Sequence, residues 1–203
     1  MLKIIAAIKE NKDYLSELDG LIGDGDHGTN MNKGFTMFED QINDRDIGFS
    51  AGLDELGNLL FTKIGGSMGP IYGSFFMGMA EAGSMEKIDL VSFAAMMDAG
   101  ISSLDGIVEA KTGDKTLMDT LLPAAGSLHN SINEGKTFSL ALDEMKTAAE
   151  IGMNATKDLI SKFGRSSRLG ERSRGVLDAG SVSCFFILSA MSSGIKEVIT
   201  AAS

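Results

Sequence analysis

Tryptophan is absent from this chain, cysteine occurs once and proline twice. The single cysteine, Cys184, excludes an intramolecular disulfide framework and fits a reducing compartment. Two prolines, Pro70 and Pro123, and no low-complexity linker fit one continuous domain over residues 1–203. Positive charge is also scarce: 18 Lys and Arg stand against 28 Asp and Glu, a net charge of −10. That balance argues against a nucleic-acid surface, which needs clustered Lys and Arg. It leaves nucleotide binding open, because a metal can supply the positive charge locally. The start, "MLKIIAAIKENKDYL", is broken by Lys3, Lys9 and Glu10, so its apolar run is too short for a signal peptide. No stretch is expected to reach the roughly 18 apolar residues of a membrane helix. The expectation is a cytoplasmic protein without membrane or nucleic-acid partners.

Alternating strand patterns are missing as well, and helical periodicity takes their place. In "LDELGNLLFTKI" the apolar residues Leu53, Leu56, Leu60, Phe61 and Ile64 fall on one helical face. Phe138, Ala141, Leu142, Met145, Ala148 and Ala149 do the same in "TFSLALDEMKTAAEIGM". The run "SVSCFFILSAM" continues into "SSGIKEVIT" and is long enough for a buried C-terminal helix. Helices are expected near 2–17, 29–44, 50–64, 68–82, 89–110, 115–131, 137–162 and 179–200. Between them lie short glycine-rich turns. The fold class is therefore all-α, with the polar turns as its active rim.

The turns carry the chemistry. "LDGLIGDGDHGTNMNKGF" places Asp19, Asp24 and Asp26 within eight residues. Carboxylates about 5 Å apart repel by roughly 3 kcal/mol per pair at an effective dielectric of about 20. The cluster asks for a cation, and carboxylates beside phosphates are the usual holders of Mg²⁺. Thr29 and Asn30 sit where a helix begins, so backbone N–H groups there could meet a phosphate. A solvated Asp/Gly turn with an Asp or Asn helix cap is the plain alternative. An EF-hand fits poorly, because the twelfth position from Asp24 is Phe35 where a Glu is needed.

In "KIGGSMGPIYGSFF", Gly66 and Ser67 read as a helix N-terminus with Pro70 in the first turn. The same letters match the G-x-S-x-G of serine hydrolases, with Ser67, an Asp among 98–119 and His129 as candidate partners. That elbow needs a preceding strand, and the preceding segment reads as helix. Close helix packing at glycine is a third reading. "TGDKTLMDTLLPA" is not a P-loop, because Asp114 replaces the required glycine. Asp114 reads instead as the cap of a helix begun by Lys115 and Thr116. "GRSSRLGERSRGVLDAGS" concentrates Arg165, Arg168, Arg172 and Arg174 in an otherwise acidic chain, a candidate anion site.

Taken together, these turns resemble the ADP-binding subunit L of bacterial dihydroxyacetone kinase and the nucleotide domain of its single-chain relatives. The family patterns "LDxxIGDGDHGxNM", "GGxSGPLYGxFF", "GDKTMxD" and "GRASYLGERSxGxxDPGxxS" find counterparts here in the same order, from about Leu18 to Ser183. The resemblance implies an antiparallel barrel of about eight helices with the nucleotide, ADP or ATP, at one end. It implies that Asp19, Asp24 and Asp26 hold two Mg²⁺ ions bridged to the diphosphate. It further implies phosphate contacts from His27, Gly28, Thr29, Asn30, Gly66 and Ser67. Leu117 would line the adenine pocket, and Arg165, Asp178 and Gly180 would close the site. No covalent nucleophile is assigned.

The implied activity is phosphoryl transfer in a dihydroxyacetone kinase. A phosphohistidine protein (M-type) of the sugar phosphotransferase chain would rephosphorylate bound ADP. The ATP formed would then phosphorylate substrate held on a separate K-type subunit. A homodimer is left open. The chain departs from the family at Met68, Arg168, Val176, Leu177 and Ala179, so the implied substrate is dihydroxyacetone or a related hydroxyketone or sugar. A noncatalytic nucleotide-binding regulator is the main alternative function, and a hydrolase built on Ser67 and His129 the other.

Overall fold

The computed structural model describes residues 1–43, 45–83 and 88–201. Among the described residues there are eight α-helices: α1 (Leu2–Ile22), α2 (His27–Ile42), α3 (Phe49–Lys63), α4 (Met68–Ala82), α5 (Leu90–Ser102), α6 (Met118–Asn133), α7 (Phe138–Ala155) and α8 (Ala179–Ala201). Two 3₁₀ segments, Thr156–Asp158 and Ser166–Ser173, lie between α7 and α8. Among the described residues there is no strand. Each helix packs on its neighbours in sequence, and α8 returns to α1, so the helices close an up-and-down ring. The turns after α1, α3, α5 and α7 therefore share one end. One continuous apolar cluster, with Phe35, Phe38, Phe76 and Leu60 fully buried, fills the ring. At the opposite end a cavity of about 1610 Å³ is lined by residues such as Met1, Phe49, Met77, Met191 and Ile195.

Four boundaries depart from the sequence expectation. α1 runs on to Ile22 because Leu18 and Ile22 extend its buried stripe, and the Gly23 N–H caps the Asp19 carbonyl at 2.5 Å. Asp19 is thereby fixed on a rigid last turn. α5 stops at Ser102, where the chain folds into successive turns through Gly106, whose φ is +80°. α7 stops at Ala155: buried Thr156 bonds the Met153 carbonyl at 2.7 Å and accepts the Asp178 N–H at 3.1 Å. These tertiary bonds draw the chain off the helical path despite apolar residues further on. α6 begins at Met118 without a side-chain cap. Asp114 does not cap it; its carboxylate accepts the Lys111 N–H at 2.9 Å and Lys162 Nζ at 2.5 Å. Helix α2 ends at Ile42, and the expected end at residue 44 lies outside the described residues, as do residues 202 and 203.

Helix α8 corrects a further expectation. By length and composition it could cross a membrane, with a hydropathy of 1.5 over its most apolar window. Here it packs between α1 and α7, which bury Val182, Cys184, Ile187, Leu188 and Met191. As a wall of the ring it turns these residues to the core and leaves others out, with Val198 70% exposed.

Glycines set the closest helix contacts. A Cβ on Gly28 would collide with the Lys12 carbonyl oxygen and come within 2.7 Å of the Ser16 amide, so α1 and α2 touch backbone to backbone. Pro123 inside α6 cannot donate to Asp119, and Gly152 of α7 presses against that freed carbonyl.

Candidate nucleotide and metal site

The three aspartates converge. One carboxylate oxygen from each of Asp19, Asp24 and Asp26 lies within 4.8 Å of the others, and all three side chains keep some exposure. Asp19 is set by the last turn of α1, and Asp24 and Asp26 by the turn at Gly25, whose φ of +76° suits glycine. Gly23 has no side chain because a Cβ there would strike the Asp19 carboxylate. A carboxylate at a helix C-terminus faces the negative end of the dipole. Asp19 thus adds to the demand for a cation, and three hard oxygen donors suit Mg²⁺.

The start of α2 is more occupied than its sequence suggests. Asp19 accepts the His27 N–H at 3.3 Å, Ser16 Oγ accepts the Thr29 N–H at 3.2 Å, and the Asn30 N–H returns to the Asp26 carbonyl at 2.9 Å. The close approach of α1 at Gly28 brings these acceptors over the helix end. A phosphate here would meet the side chains of His27, Thr29 and Asn30 rather than the N–H groups of Thr29 and Asn30.

His27 Nε2 lies 2.8 Å from Ser183 Oγ. Burial pulls the imidazole down to about 4, against the opposing field of Asp19, so it is neutral at pH 7. At the start of α4, Gly65, Gly66 and Ser67 are exposed, Gly66 has φ of +72°, and Ser67 occupies the N-cap position. A Cβ on Gly65 or Gly66 would meet nothing within 4 Å, so this turn borders open space.

The third and fourth turns interlock. Lys115 is buried with φ of +61°, and its Nζ donates to the carbonyls of Thr156 at 2.6 Å and Val176 at 2.5 Å. Asp119 accepts the Gly113 N–H at 2.5 Å and the Thr116 N–H at 2.8 Å, shaping the turn that presents Leu117. Leu117 is buried beside Gly180, where a Cβ would sit 3.8 Å from its own. Asp178 caps α8 by accepting the Ser181 N–H at 2.7 Å. Desolvation pushes its carboxyl up to about 6, while that hydrogen bond and Lys115 act the other way.

The arginines divide. Arg165 pairs with Asp24 and so joins the last turn to the aspartates. Arg174 is held by Glu171 at 3.1 Å and by the Asp158 carbonyl, a fastening of the loop. Arg168 and Arg172 are exposed.

Sequence reasoning gave no role to Tyr72 or Ser183, and placed Lys115 only at a helix start and Asp119 only among the candidate hydrolase acids. Each is a letter of the quoted motifs, but nothing in its local spacing shows which distant group it bonds. The hydrolase arrangement does not form: α3 precedes Ser67, and His129 pairs with Asp98 at 3.0 Å. Among the described residues no hydrogen bond joins Ser67 to His129.

The architecture defines a class, the antiparallel helical barrel with its motif-bearing turns at one end. The dihydroxyacetone kinase of C. freundii shares this fold: its native structure superposes with a TM-score of 0.71 at 20% identity, over 95% of this chain and 33% of that one. A second structure of that kinase, in complex with AMP-PNP and Mg²⁺, gives a TM-score of 0.68 at 19% identity, over 95% of this chain and 32% of that one.

The DAK2 domain model matches residues 21–193. The ADP-binding subunit DhaL of a PEP-dependent dihydroxyacetone kinase 2 from Listeria innocua is 36% identical, over 96% of this chain and 91% of that protein. The corresponding subunit of Escherichia coli is 35% identical, over 91% and 89%. A PTS-dependent counterpart from Lactococcus lactis is 34% identical, over 89% and 86%. The chain belongs to the DAK2-domain family, alongside the ADP-binding subunits of dihydroxyacetone kinase.

Proposed function

We propose that this single-domain protein is the nucleotide-binding subunit of a dihydroxyacetone kinase, or of a kinase for a related hydroxyketone or sugar, and acts in the cytoplasm. ADP or ATP would sit at the motif-bearing end of the barrel. Asp19, Asp24 and Asp26 would hold two Mg²⁺ ions, whose charge would neutralise the diphosphate and the phosphoryl group in transfer. His27, Thr29 and Asn30 would line one side of the phosphates and Gly66 and Ser67 the other, with Gly28 setting the α1–α2 approach. Leu117 and Gly180 would border the base, and Arg165 would close over the phosphates, with Asp178 holding the start of α8. The protein positions and neutralises; it offers no nucleophile of its own. A phosphohistidine donor and a K-type, substrate-holding subunit would complete the reaction.

The observation that carries this reading is the carboxylate trio, with its oxygens within 4.8 Å of one another beside a helix start and an arginine. Calorimetry of ADP binding tests it. Affinity is expected with Mg²⁺, and to be lost with chelator and in Asp24→Ala; equal affinity in all three refutes the metal role. Turnover with a K-type subunit and a phosphohistidine donor separates the kinase subunit from a noncatalytic nucleotide-binding regulator. Arg165→Ala should weaken ADP binding, whereas Arg168→Ala should leave it intact and instead alter phosphoryl transfer with the K-type subunit. Equal loss of ADP affinity in both variants would remove the division between them.

A further inference from the structure

Tyr72 of α4 and Ser183 of α8 meet behind His27. Ser183 Oγ lies 2.7 Å from Tyr72 Oη and 2.8 Å from His27 Nε2, and both hydroxyls also reach the Gly180 carbonyl, at 3.2 and 3.1 Å. Tyr72 and Ser183 are buried. The other ring nitrogen, Nδ1, has no partner among the described residues. Because none of their buried side-chain nitrogens or oxygens lacks a partner, Nδ1 opens to solvent. Asp19 accepts the His27 backbone N–H and its field reaches the ring, so the imidazole stands beside the aspartates.

Two proton arrangements satisfy these groups. In the first, Tyr72 donates to Ser183, Ser183 donates to Nε2, and the ring proton lies on Nδ1. In the second, Nε2–H donates to Ser183, which donates to Tyr72 or the Gly180 carbonyl, and Nδ1 is a bare lone pair. The hydroxyls and carbonyl alone do not choose between them. A phosphate oxygen does, because it only accepts. It bonds an Nδ1–H and is repelled by a lone pair. We propose that Tyr72 and Ser183 are positioning residues that supply the donor which the phosphate-selected Nδ1–H tautomer needs at Nε2, and so hold His27 aimed as a hydrogen-bond donor at a phosphate of the bound nucleoside diphosphate. Tyr72 matters because its donated proton fills Ser183 Oγ as acceptor and commits the Ser183 proton to the ring. The proposal rests on the nucleotide site described above. It assigns work to two buried motif residues that stand behind the site.

The test is ¹⁵N NMR of ring-labelled histidine in protein saturated with ADP and Mg²⁺, at one fixed pH. The chain holds 2 histidines, so the His129→Asn variant assigns the spectrum. The expected wild-type signature is a protonated Nδ1 and an unprotonated, hydrogen-bonded Nε2. Ser183→Ala should shift the ring toward Nε2–H and weaken ADP binding roughly tenfold, the cost of one unmatched buried acceptor. Tyr72→Phe should give a mixture of tautomers and a smaller loss. The wild-type spectrum needs no substitution, so a poorly folding variant does not shelter the idea. ADP binding with His27 as Nε2–H overturns the proposal alone, and so does a Ser183→Ala variant with unchanged tautomer and affinity. Failure of ADP and Mg²⁺ to bind at all overturns the nucleotide site itself.

Discussion

His27 and Asp178 titrate in opposite senses on folding. For His27 the native value is about 4 against 6.5 for the free side chain. Between those values the unfolded chain binds the extra proton, so stability rises with pH. For Asp178 the native value is about 6 against 3.8. There the native state holds the extra proton, so stability falls as pH rises through the same window. The two slopes largely offset each other in wild-type protein. Asp178→Asn removes one of them. Its melting temperature, measured in chelator, should climb more steeply than that of wild type from about pH 4 to about pH 6. Parallel curves would show that Asp178 ionises normally in the fold.

At the scale of elements, glycine on a helix has two opposite meanings here. Gly28 lies where α1 and α2 meet backbone to backbone, and a methyl group there has no room. Gly126 lies inside α6 with nothing within 4 Å of its absent Cβ. Gly28→Ala should therefore destabilise by at least about 1–3 kcal/mol, through overpacking against rigid backbone. Gly126→Ala should stabilise by about 0.5–1 kcal/mol, because alanine loses less backbone freedom on folding. Denaturant unfolding of both variants checks the contrast, and equal shifts would contradict the packing. Gly28→Ala should also weaken ADP binding, since the α1–α2 contact sets Asp19 beside the start of α2.

For the whole molecule, the site is a property of ring closure. Its residues come from four turns, and a ligand that bridges them ties α1, α2, α4, α6 and α8 together. Saturating ADP with Mg²⁺ should stabilise by RT ln(1 + [L]/Kd), about 2.7 kcal/mol at a hundredfold excess over Kd. A melting curve that does not move on adding both would argue against a native-state site. The effect should vanish in Asp24→Ala, whose fold has no reason to fail because its carboxylate is partly exposed. Binding at this end leaves the cavity at the other free, since its lining draws on neither the aspartate turn nor the arginine segment.

The sequence by itself determined the all-helical class, the places of most helices and the clustering of Asp19, Asp24 and Asp26. These follow from spacing within a few residues, which helical periodicity and turn chemistry express directly. Tertiary structure decided where α5 and α7 stop, because Thr156 and the turn at Gly106 answer to groups far along the chain. It decided that the Thr29 N–H is already taken by Ser16 of α1, and that Asp114 holds a turn instead of capping a helix. It also decided that Lys115 braces two carbonyls and that Tyr72 and Ser183 stand behind His27. Ser183 is 156 residues from His27. A bond across that separation exists only because α8 closes the barrel against α1, and no local pattern records which side chains that closure brings face to face.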